Sequence, residues 1–424
     1  MRVDDADRGR VWLRDLLGEV TNAQAWNGGK PRTHLNLAFT YLGLVALGVP
    51  KPVLGGFSKE FRQGMADRAA LMGDAGQSDA GEWEPPFGSG QAHVLVTINA
   101  VDDDAVADRL RDLRAQIDSD GGLAIVYVQH AHLLQGAREH FGYADGFAQP
   151  AIEGTDEAAK RVRGGGVPLK DGGWRPLAAG EFILGYDDED GSPPNAPPDP
   201  YGRSGTYMVW RKLHQDVALF RRTLRDAAEL YEDGDETKLR AKVVGRWPDG
   251  TPLVTSPEEP DATFEPNAEG SNDFRYAGVD PTGGRCPLGA HIRRSNPRDA
   301  LGWDGLLSFR HRMIRRGMPY GDPLPDEAVE DDGAERGLVF VCFNASISRQ
   351  FEGVQIQWLN DGNIFRLGHD KDFLMGDSTA TAKMTVQGDP PFFLAPQPSF
   401  VTTRGGEYLF VPGIAALAAI AGGA

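Results

Sequence analysis

The chain has 424 residues, 40% of them hydrophobic and 25% charged, and its formal net charge is −17. This length exceeds one average domain and predicts two, with enough apolar residues for a sizeable core. A strongly acidic surface repels phosphate backbones and anionic lipid heads, which argues against nucleic acid and membrane partners. Cys286 and Cys342 form no CxxC or CxxCH spacing, which disfavours a disulfide framework, a zinc ribbon and covalent haem attachment.

The sequence favours a cytoplasmic location. The two cysteines are expected to be buried free thiols, as in a reducing compartment. The first residues, MRVDDADRGRVWLRDLL, carry early acids and lack the apolar stretch that is typical of a secretory signal. No run of 18 apolar residues occurs in the sequence, so no membrane span is predicted. A homo-oligomer is compatible with these features, although the sequence does not specify one.

The first half of the chain alternates predicted helices and strands. The acidic and proline-rich segment 187–205 then predicts a loop or linker, and we place the domain boundary there, giving domains 1–195 and 196–424. Strand–helix alternation of this kind is typical of an α+β, ferredoxin-like fold. Helices are predicted over 9–25, 42–47, 57–71 (with Ser58 as N-cap) and 102–117, and strands over 34–41, 93–100 and 122–130 and near Phe141.

The second half also alternates predicted strands and helices, but its sequence does not repeat that of the first half. The segment 247–284 is rich in Pro, Gly, Asp and Asn, and predicts a long irregular stretch of the kind that is often functional. The C-terminal apolar residues 414–421 predict a packed final helix that is too short to span a membrane. Strands are predicted over 206–213, 336–345 and 407–411, and helices over 217–230 and 347–360.

One of the nine histidines stands out because of its neighbours. His291 opens the run HIRRSNPR, in which Asn296-Pro297 is a stop signal, so the histidine can project from a short helical segment. A neutral imidazole can ligate haem iron. The alternative is a capped turn with a solvated arginine pair, Arg293 and Arg294. The sequence offers no HExxH pair and no 2-His-1-carboxylate spacing as a competing metal site.

A candidate carboxylate lies in the run GYADG, residues 142–146. In isolation, Asp145-Gly146 predicts a surface β-turn more often than a functional site. Phe141 and Phe147 flank this turn, however. They predict a partly desolvated Asp145 with a raised pKa, which suits proton transfer.

A candidate cation lies in the run MIRRGMPYG, residues 313–321. Arg315 and Arg316 form a basic run with Arg310 and Arg312, whose simplest interpretation is a solvated helix face. The tail GMPYG predicts an ordered turn that brings one arginine inward. A carboxylate and a guanidinium facing a haem iron can together process peroxide.

Taken together, these three runs resemble the dye-decolourising peroxidase family. They occur in the family's order, and the resemblance covers most of the chain. The length and extra loops are similar to its larger, type V-like subgroup. The resemblance implies an α+β fold of two ferredoxin-like domains with antiparallel sheets, and haem b held non-covalently, mainly by the C-terminal domain.

The resemblance also implies roles for individual residues. His291 matches the proximal histidine that ligates the haem iron, Asp145 the distal aspartate and Arg315 the distal arginine. Arg312 and Arg316 fit the arginine position less well, and Gly317 stands where some members carry an asparagine. Further implied cofactor contacts are Gly146 in the GxxDG turn, Phe343 in the distal pocket, and Arg294 at a haem propionate.

The function that this resemblance implies is a haem peroxidase that reduces hydrogen peroxide and oxidises dyes, phenols or other small one-electron donors. A carboxylate should accept the second ring N–H of His291, and Asp370, Asp372 and Asp377 are the candidates. A non-catalytic haem carrier or sensor, a chlorite-decomposing enzyme, and a haem-free protein in which all three runs are turns remain as alternatives.

Overall fold

The computed structural model describes residues 1–24, 26, 29–156, 158–231, 234–266, 268, 270–376 and 382–422. It is an α+β structure in which helices lie against antiparallel sheets. The helices are α1 Ala6–Leu16, α2 Tyr41–Ala46, α3 Lys51–Gly55, α4 Lys59–Gln63, α5 Asp103–Asp120, α6 Ala158–Gly165, α7 Val217–Ala228, α8 Glu236–Val244, α9 His291–Ser295, α10 Leu306–Phe309 and α11 Ile414–Ile420. The strands are β1 Arg2–Val3, β2 Thr33–Phe39, β3 Val94–Ala100, β4 Leu123–Ala124, β5 Val167–Pro168, β6 Trp174–Arg175, β7 Thr206–Gln215, β8 Ile314–Arg315, β9 Met318–Tyr320, β10 Gly337–Asn344, β11 Ala382–Val386, β12 Phe392–Gln397 and β13 Val401–Val411.

The largest sheet takes strands from both halves of the chain. Its order is β3-β2-β13-β7-β10-β8, with β9 also beside β10, and the pairs are antiparallel. The two halves meet where Phe39 of β2 pairs with Phe410 of β13. These features confirm the expected α+β class with antiparallel strands. The boundary at 195/196 falls in a described loop and stays a prediction.

The central strand β7 sets the position of the cavity described below. Successive side chains of a strand point to opposite faces, so every second residue shares a face. On one face Tyr207 and Val209 are buried in the main hydrophobic core, and then Arg211, Leu213 and Gln215 line a cavity. Along this face of the sheet, the side chains therefore pack in an apolar core at one end and line a partly polar cavity at the other.

Several predicted elements are shorter or differently wound than expected. The predicted strand 122–130 is a strand only at Leu123–Ala124, because the partner strand β1 offers only two residues for pairing. Near Phe141 the structure has a single bridge between Arg138 and Ala144 instead of a strand. The predicted helix 347–360 is wound as π-helix over Ser348–Glu352 and Val354–Leu359. Among the described helices, none is both long and apolar enough to cross a bilayer.

Helix α7 offers a test of local stability beside the cavity. The carboxylate of Asp216 accepts a hydrogen bond from the Leu219 amide at 2.8 Å and so caps the helix. Asp216→Ala removes this acceptor, and we expect it to lower the free energy of unfolding by about 1 kcal/mol in a denaturant titration. Asp216→Asn keeps an acceptor and should stay close to the parent protein. Equal losses in both variants would contradict the capping role.

Candidate active site

The short helix α9 presents His291, and its two arginines are buried rather than solvated. The Arg293 guanidinium donates to the Asp280 carboxylate at 2.9 Å and to the Cys286 carbonyl at 2.7 Å. The Arg294 guanidinium donates to the carbonyls of Trp358 at 2.8 Å, Leu359 at 3.1 Å and Asp370. Both side chains anchor α9 to neighbouring segments of the chain, so the solvated turn considered from the sequence is wrong.

This anchoring also removes Arg294 from the cofactor contacts expected from the sequence. Arg294 is fully buried and does not line the cavity into which His291 points. Its donors are directed to the backbone carbonyls of Trp358, Leu359 and Asp370. An interaction with a haem propionate is therefore not what this geometry offers.

The His291 ring is oriented by a carboxylate from a distant part of the chain. Its Nδ1 lies 3.0 Å from Asp372 Oδ2, and Asp372 is fully buried. Burial alone raises the pKa of the Asp372 carboxyl, but the His291 and Arg294 charges and the Met375 amide outweigh this and lower it. An ionised carboxylate only accepts hydrogen bonds, so Nδ1 carries the proton. The other nitrogen, Nε2, has no hydrogen-bond partner among the described residues and can act as a ligand.

The structure thus selects Asp372 from the three carboxylates that the sequence offered. The second oxygen of Asp372, Oδ1, accepts from the amides of Leu374 at 3.0 Å and Met375 at 2.7 Å, which fixes the carboxylate plane. Asp370 instead faces Lys383, at 3.3 Å. Asp377 lies outside the described residues.

The GYADG run forms a turn, as predicted, but the turn lines the cavity. Gly142 and Gly146 have φ values of 98° and 90°, in the left-handed region that favours glycine. The Glu139 carboxylate braces the turn by accepting from the amides of Phe141 at 2.9 Å and Tyr143 at 3.0 Å. Gly146 itself has no side chain to reach the cavity. Its conformation lets the chain turn directly after Asp145.

Arg315 reaches the same cavity from the edge of the sheet. The predicted turn at GMPYG is wrong, since the segment is extended beside β10: Arg315 pairs with Cys342 and Met318 with Val339, so the register is unchanged across Arg316 and Gly317. The glycine allows close packing, because a Cβ there would lie 2.8 Å from the Val339 carbonyl oxygen. The extended backbone directs the Arg315 side chain into the cavity.

Asp145 and Arg315 form an ion pair across the cavity wall. Arg315 Nη1 lies 3.2 Å from Asp145 Oδ1. Buried Gln149 connects their backbones, because it accepts from the Arg315 amide at 3.0 Å and donates to the Gly146 carbonyl at 3.1 Å. Nothing in the spacing of the sequence pointed to Gln149 or to Glu139, since both act through backbone groups.

The pKa of Asp145 shifts in the opposite direction to the one expected. Burial raises the pKa of this carboxyl, as the flanking aromatics suggested. The charge of Arg315 and the hydrogen bonds from Arg315 and the Gly146 amide outweigh burial, so the pKa lies below its usual value. Asp145 is therefore a carboxylate near neutral pH, and it is ready to accept a proton.

The aromatic wall of the cavity comes from a neighbour of the predicted residue. Phe343 packs on the opposite face of the sheet, with Met208 and Trp210. Leu338 and Phe340 of the same strand line the cavity instead. The prediction of Phe343 as a pocket residue is thus wrong. Phe343 is three positions from Phe340 on the same strand, and residues an odd number of positions apart point to opposite faces of the sheet.

The remaining walls combine apolar surface with arginines that lack carboxylate partners. Apolar contributions come from residues such as Phe274, Val354, Trp358 and Leu374. Arg246 and Arg298 donate only to carbonyl or amide oxygens, and Arg312 has no hydrogen bond or ion pair within the described residues. Burial and neighbouring arginine charges lower the pKa of Arg246 and of Arg312 to about 9.

These features fit a planar apolar macrocycle that carries negative groups at its edge. Uncompensated guanidinium charge in a buried wall favours an anionic ligand. The free Nε2 of His291 adds a ligand for one metal ion, with Asp145 and Arg315 facing the same space. This combination matches haem b, whose propionates are the negative groups and whose iron accepts an imidazole.

Comparison with known proteins gives the same result over both halves of the chain. The family model described as DyP dimeric alpha+beta barrel domain matches residues 17–131, and the one described as Dyp-type peroxidase, C-terminal, matches residues 198–369. The chain belongs to the DyP-type peroxidase family. It is accordingly a haem peroxidase, and its cofactor is haem b.

Individual relatives agree with this assignment. Multifunctional dye peroxidase DyP2 of an Amycolatopsis strain is 33% identical, over 97% of this chain and 89% of the relative. Peroxidase 2 of Mycetinis scorodonius is 29% identical, over 92% and 76%. A solved dye-decolorizing peroxidase in complex with 2,6-dimethoxyphenol superposes with a TM-score of 0.79 at 28% identity, covering 99% and 94%.

For this DyP-type peroxidase, the contact between His291 and Asp372 predicts how firmly haem is retained. Asp372→Asn removes the negative charge that makes the imidazole a stronger ligand for iron. Losses of about 10- to 100-fold in metal affinity are typical of such changes. We expect weaker haem retention in a transfer assay to apomyoglobin. Asp370→Asn is the matched control, since Asp370 faces Lys383 instead. Equal haem loss in both variants would contradict the assignment.

Proposed function

We propose that the enzyme reduces hydrogen peroxide at haem b held by His291, and that it oxidises small dyes or phenols by single electrons. The observation that carries the proposal is the ion pair between Asp145 and Arg315, at 3.2 Å, in the wall of the cavity that His291 enters. A haem carrier or sensor needs no proton acceptor paired with a cation in this position, so the pair favours catalysis.

The chain's own residues supply proton transfer and charge stabilisation. The bound haem supplies an iron that exchanges electrons with peroxide and with the reducing substrate. Asp145 is ionised, so it accepts a proton from one peroxide oxygen and returns it to the other as the O–O bond breaks. Arg315 is permanently charged and stabilises negative charge on the departing oxygen. Gln149 and Glu139 hold the two backbones that carry these groups.

Arg246, Arg298 and Arg312 are the proposed partners of the haem propionates, in place of Arg294. Arg312 is the strongest candidate of the three. Its guanidinium lines the cavity and has no ionic partner in the described part of the chain, and burial lowers its pKa. A propionate would supply the missing counter-charge.

The proposed substrates are small phenols and dyes, as in the relative solved with 2,6-dimethoxyphenol. We also propose a cytoplasmic location, which is supported by the buried free thiols of Cys286 and Cys342. The larger, type V-like subgroup and a homo-oligomeric state stay predictions from the sequence.

The ligand role of His291 is tested by His291→Ala. Since Nε2 is the proposed iron ligand, the variant should lose the Soret band near ~400 nm that ligated haem gives. The measurement is the ratio of Soret to protein absorbance after purification and haem reconstitution. His311→Ala is a suitable control, because His311 also lines the cavity but its Nδ1 donates to the Leu307 carbonyl at 2.6 Å. A normal Soret band in His291→Ala would exclude His291 as the ligand.

The distal pair is tested by stopped-flow mixing with peroxide. Arg315→Leu should keep haem and slow the peroxide reaction by about 10²- to 10³-fold, the usual effect of losing one charge-stabilising donor. Asp145→Asn should slow it by about 10²- to 10⁴-fold if Asp145 moves the proton. Arg316→Leu is the matched control, since this neighbouring side chain is exposed. An unchanged rate in Asp145→Asn would assign the step to Arg315 alone.

A further inference from the structure

A buried tyrosine near the cavity has its own proton acceptor. Tyr408 of β13 is 1% exposed, and its hydroxyl donates to Glu352 Oε1 at 2.8 Å. Glu352 is also buried, and Arg68 holds it with two hydrogen bonds, Nε to Oε1 at 2.5 Å and Nη2 to Oε2 at 2.6 Å. Hydrogen bonds thus link the phenol, the carboxylate and the guanidinium in one cluster, and the mechanism above does not use it.

One aromatic ring separates this cluster from the cavity. Phe351 lines the cavity and meets Tyr408 edge to face, with ring centroids 6.2 Å apart. Tyr408 pairs with Val209 on β7, two residues before the cavity-lining Arg211. The Arg211 guanidinium itself lies over the Phe351 ring, at 5.9 Å. Tyr408 therefore projects from the same sheet face that lines the haem site.

No other described tyrosine at the cavity combines both features. Tyr143 and Tyr276 line the cavity directly, but neither hydroxyl donates to a carboxylate in the described structure. Tyr127 does donate to a carboxylate, Glu84 at 3.2 Å, but it packs with the cluster on the opposite face of the sheet. Tyr408 has both features: it lies one aromatic ring from the cavity, and its hydroxyl donates to a carboxylate.

We propose that Tyr408 is a redox-active residue that stores one oxidising equivalent beside the haem. In this step, which rests on the peroxidase activity, Tyr408 gives one electron to the peroxide-oxidised cofactor. Its hydroxyl proton moves to Glu352 Oε1, so that the phenol becomes a neutral tyrosyl radical and Glu352 a carboxylic acid. A small phenolic reductant, the class of donor already proposed, returns one electron, and Glu352 returns the proton.

The surroundings of Tyr408 make this coupled transfer necessary. Burial and the adjacent Glu352 carboxylate raise the pKa of Tyr408, so the phenol is protonated at rest. Loss of an electron without the proton would leave a cation in an apolar core, which is costly. Transfer to Glu352 keeps the charge of the phenol neutral, and Arg68 keeps the carboxyl group in place throughout.

The test is freeze-quench electron paramagnetic resonance after one equivalent of peroxide, without reductant. Ring-deuterated tyrosine should narrow the signal of the parent enzyme, which identifies a tyrosyl radical. Tyr408→Phe should lose this signal, whereas Tyr276→Phe and Tyr127→Phe should keep it. Tyr408→Phe leaves the pair of Arg68 and Glu352 intact, so the fold is expected to persist. Glu352→Gln removes the proton acceptor and should lower the radical yield.

The outcomes distinguish failure of this inference from failure of the proposed function. A tyrosyl signal that persists in Tyr408→Phe, or that disappears in Tyr276→Phe, would overturn the assignment. A parent enzyme whose Soret band changes with peroxide but that gives no tyrosyl signal would overturn this inference and leave the proposed function standing. A Soret band that does not respond to peroxide would overturn the proposed function and this inference together.

Discussion

The site depends on two arginines that hold one short helix in place. A helix of five residues is too short to be stable alone, so the position of α9 must come from tertiary contacts. Arg293 and Arg294 supply them, because their buried guanidinium groups require several hydrogen bonds each and donate to a carboxylate and to carbonyls of neighbouring segments. The position of His291 at the cavity is therefore set by two side chains that do not line the cavity.

The charge inside the cavity is opposite to that of the whole chain. The net charge of −17 predicts that anions are repelled at long range, yet three arginines in the cavity wall lack a carboxylate partner in the described structure. The nearby guanidinium charge outweighs the distant surface field, because charges at the surface are screened by solvent and salt. An acidic protein can therefore hold a dianionic cofactor, and Asp145 and Asp372 place opposite charge beside Arg315 and His291.

The sequence was sufficient to find the three segments that form the site, but not to rank the residues within them. His291, Asp145 and Arg315 meet in one cavity, as the resemblance implied. Arg294 and Arg298 lie in the same run, and the choice between them depends on how α9 ends. Long-range partners such as Asp372, 81 residues from His291, follow no local spacing. The pKa direction of Asp145 likewise required the ion pair, which local composition does not show.

The same face rule that excluded Phe343 explains why Tyr408 lies near the haem site. Residues on one face of β7 and β13 fill the core at one end of the sheet and line the cavity at the other, and Phe351 lies where the two meet. A phenol placed on this face for packing is thereby one ring from an oxidising centre. A tyrosine there is exposed to one-electron oxidation whether or not it is used, and a hydrogen-bonded carboxylate decides whether that oxidation is reversible. Glu352, clamped by Arg68, gives the displaced proton a fixed place from which it can return.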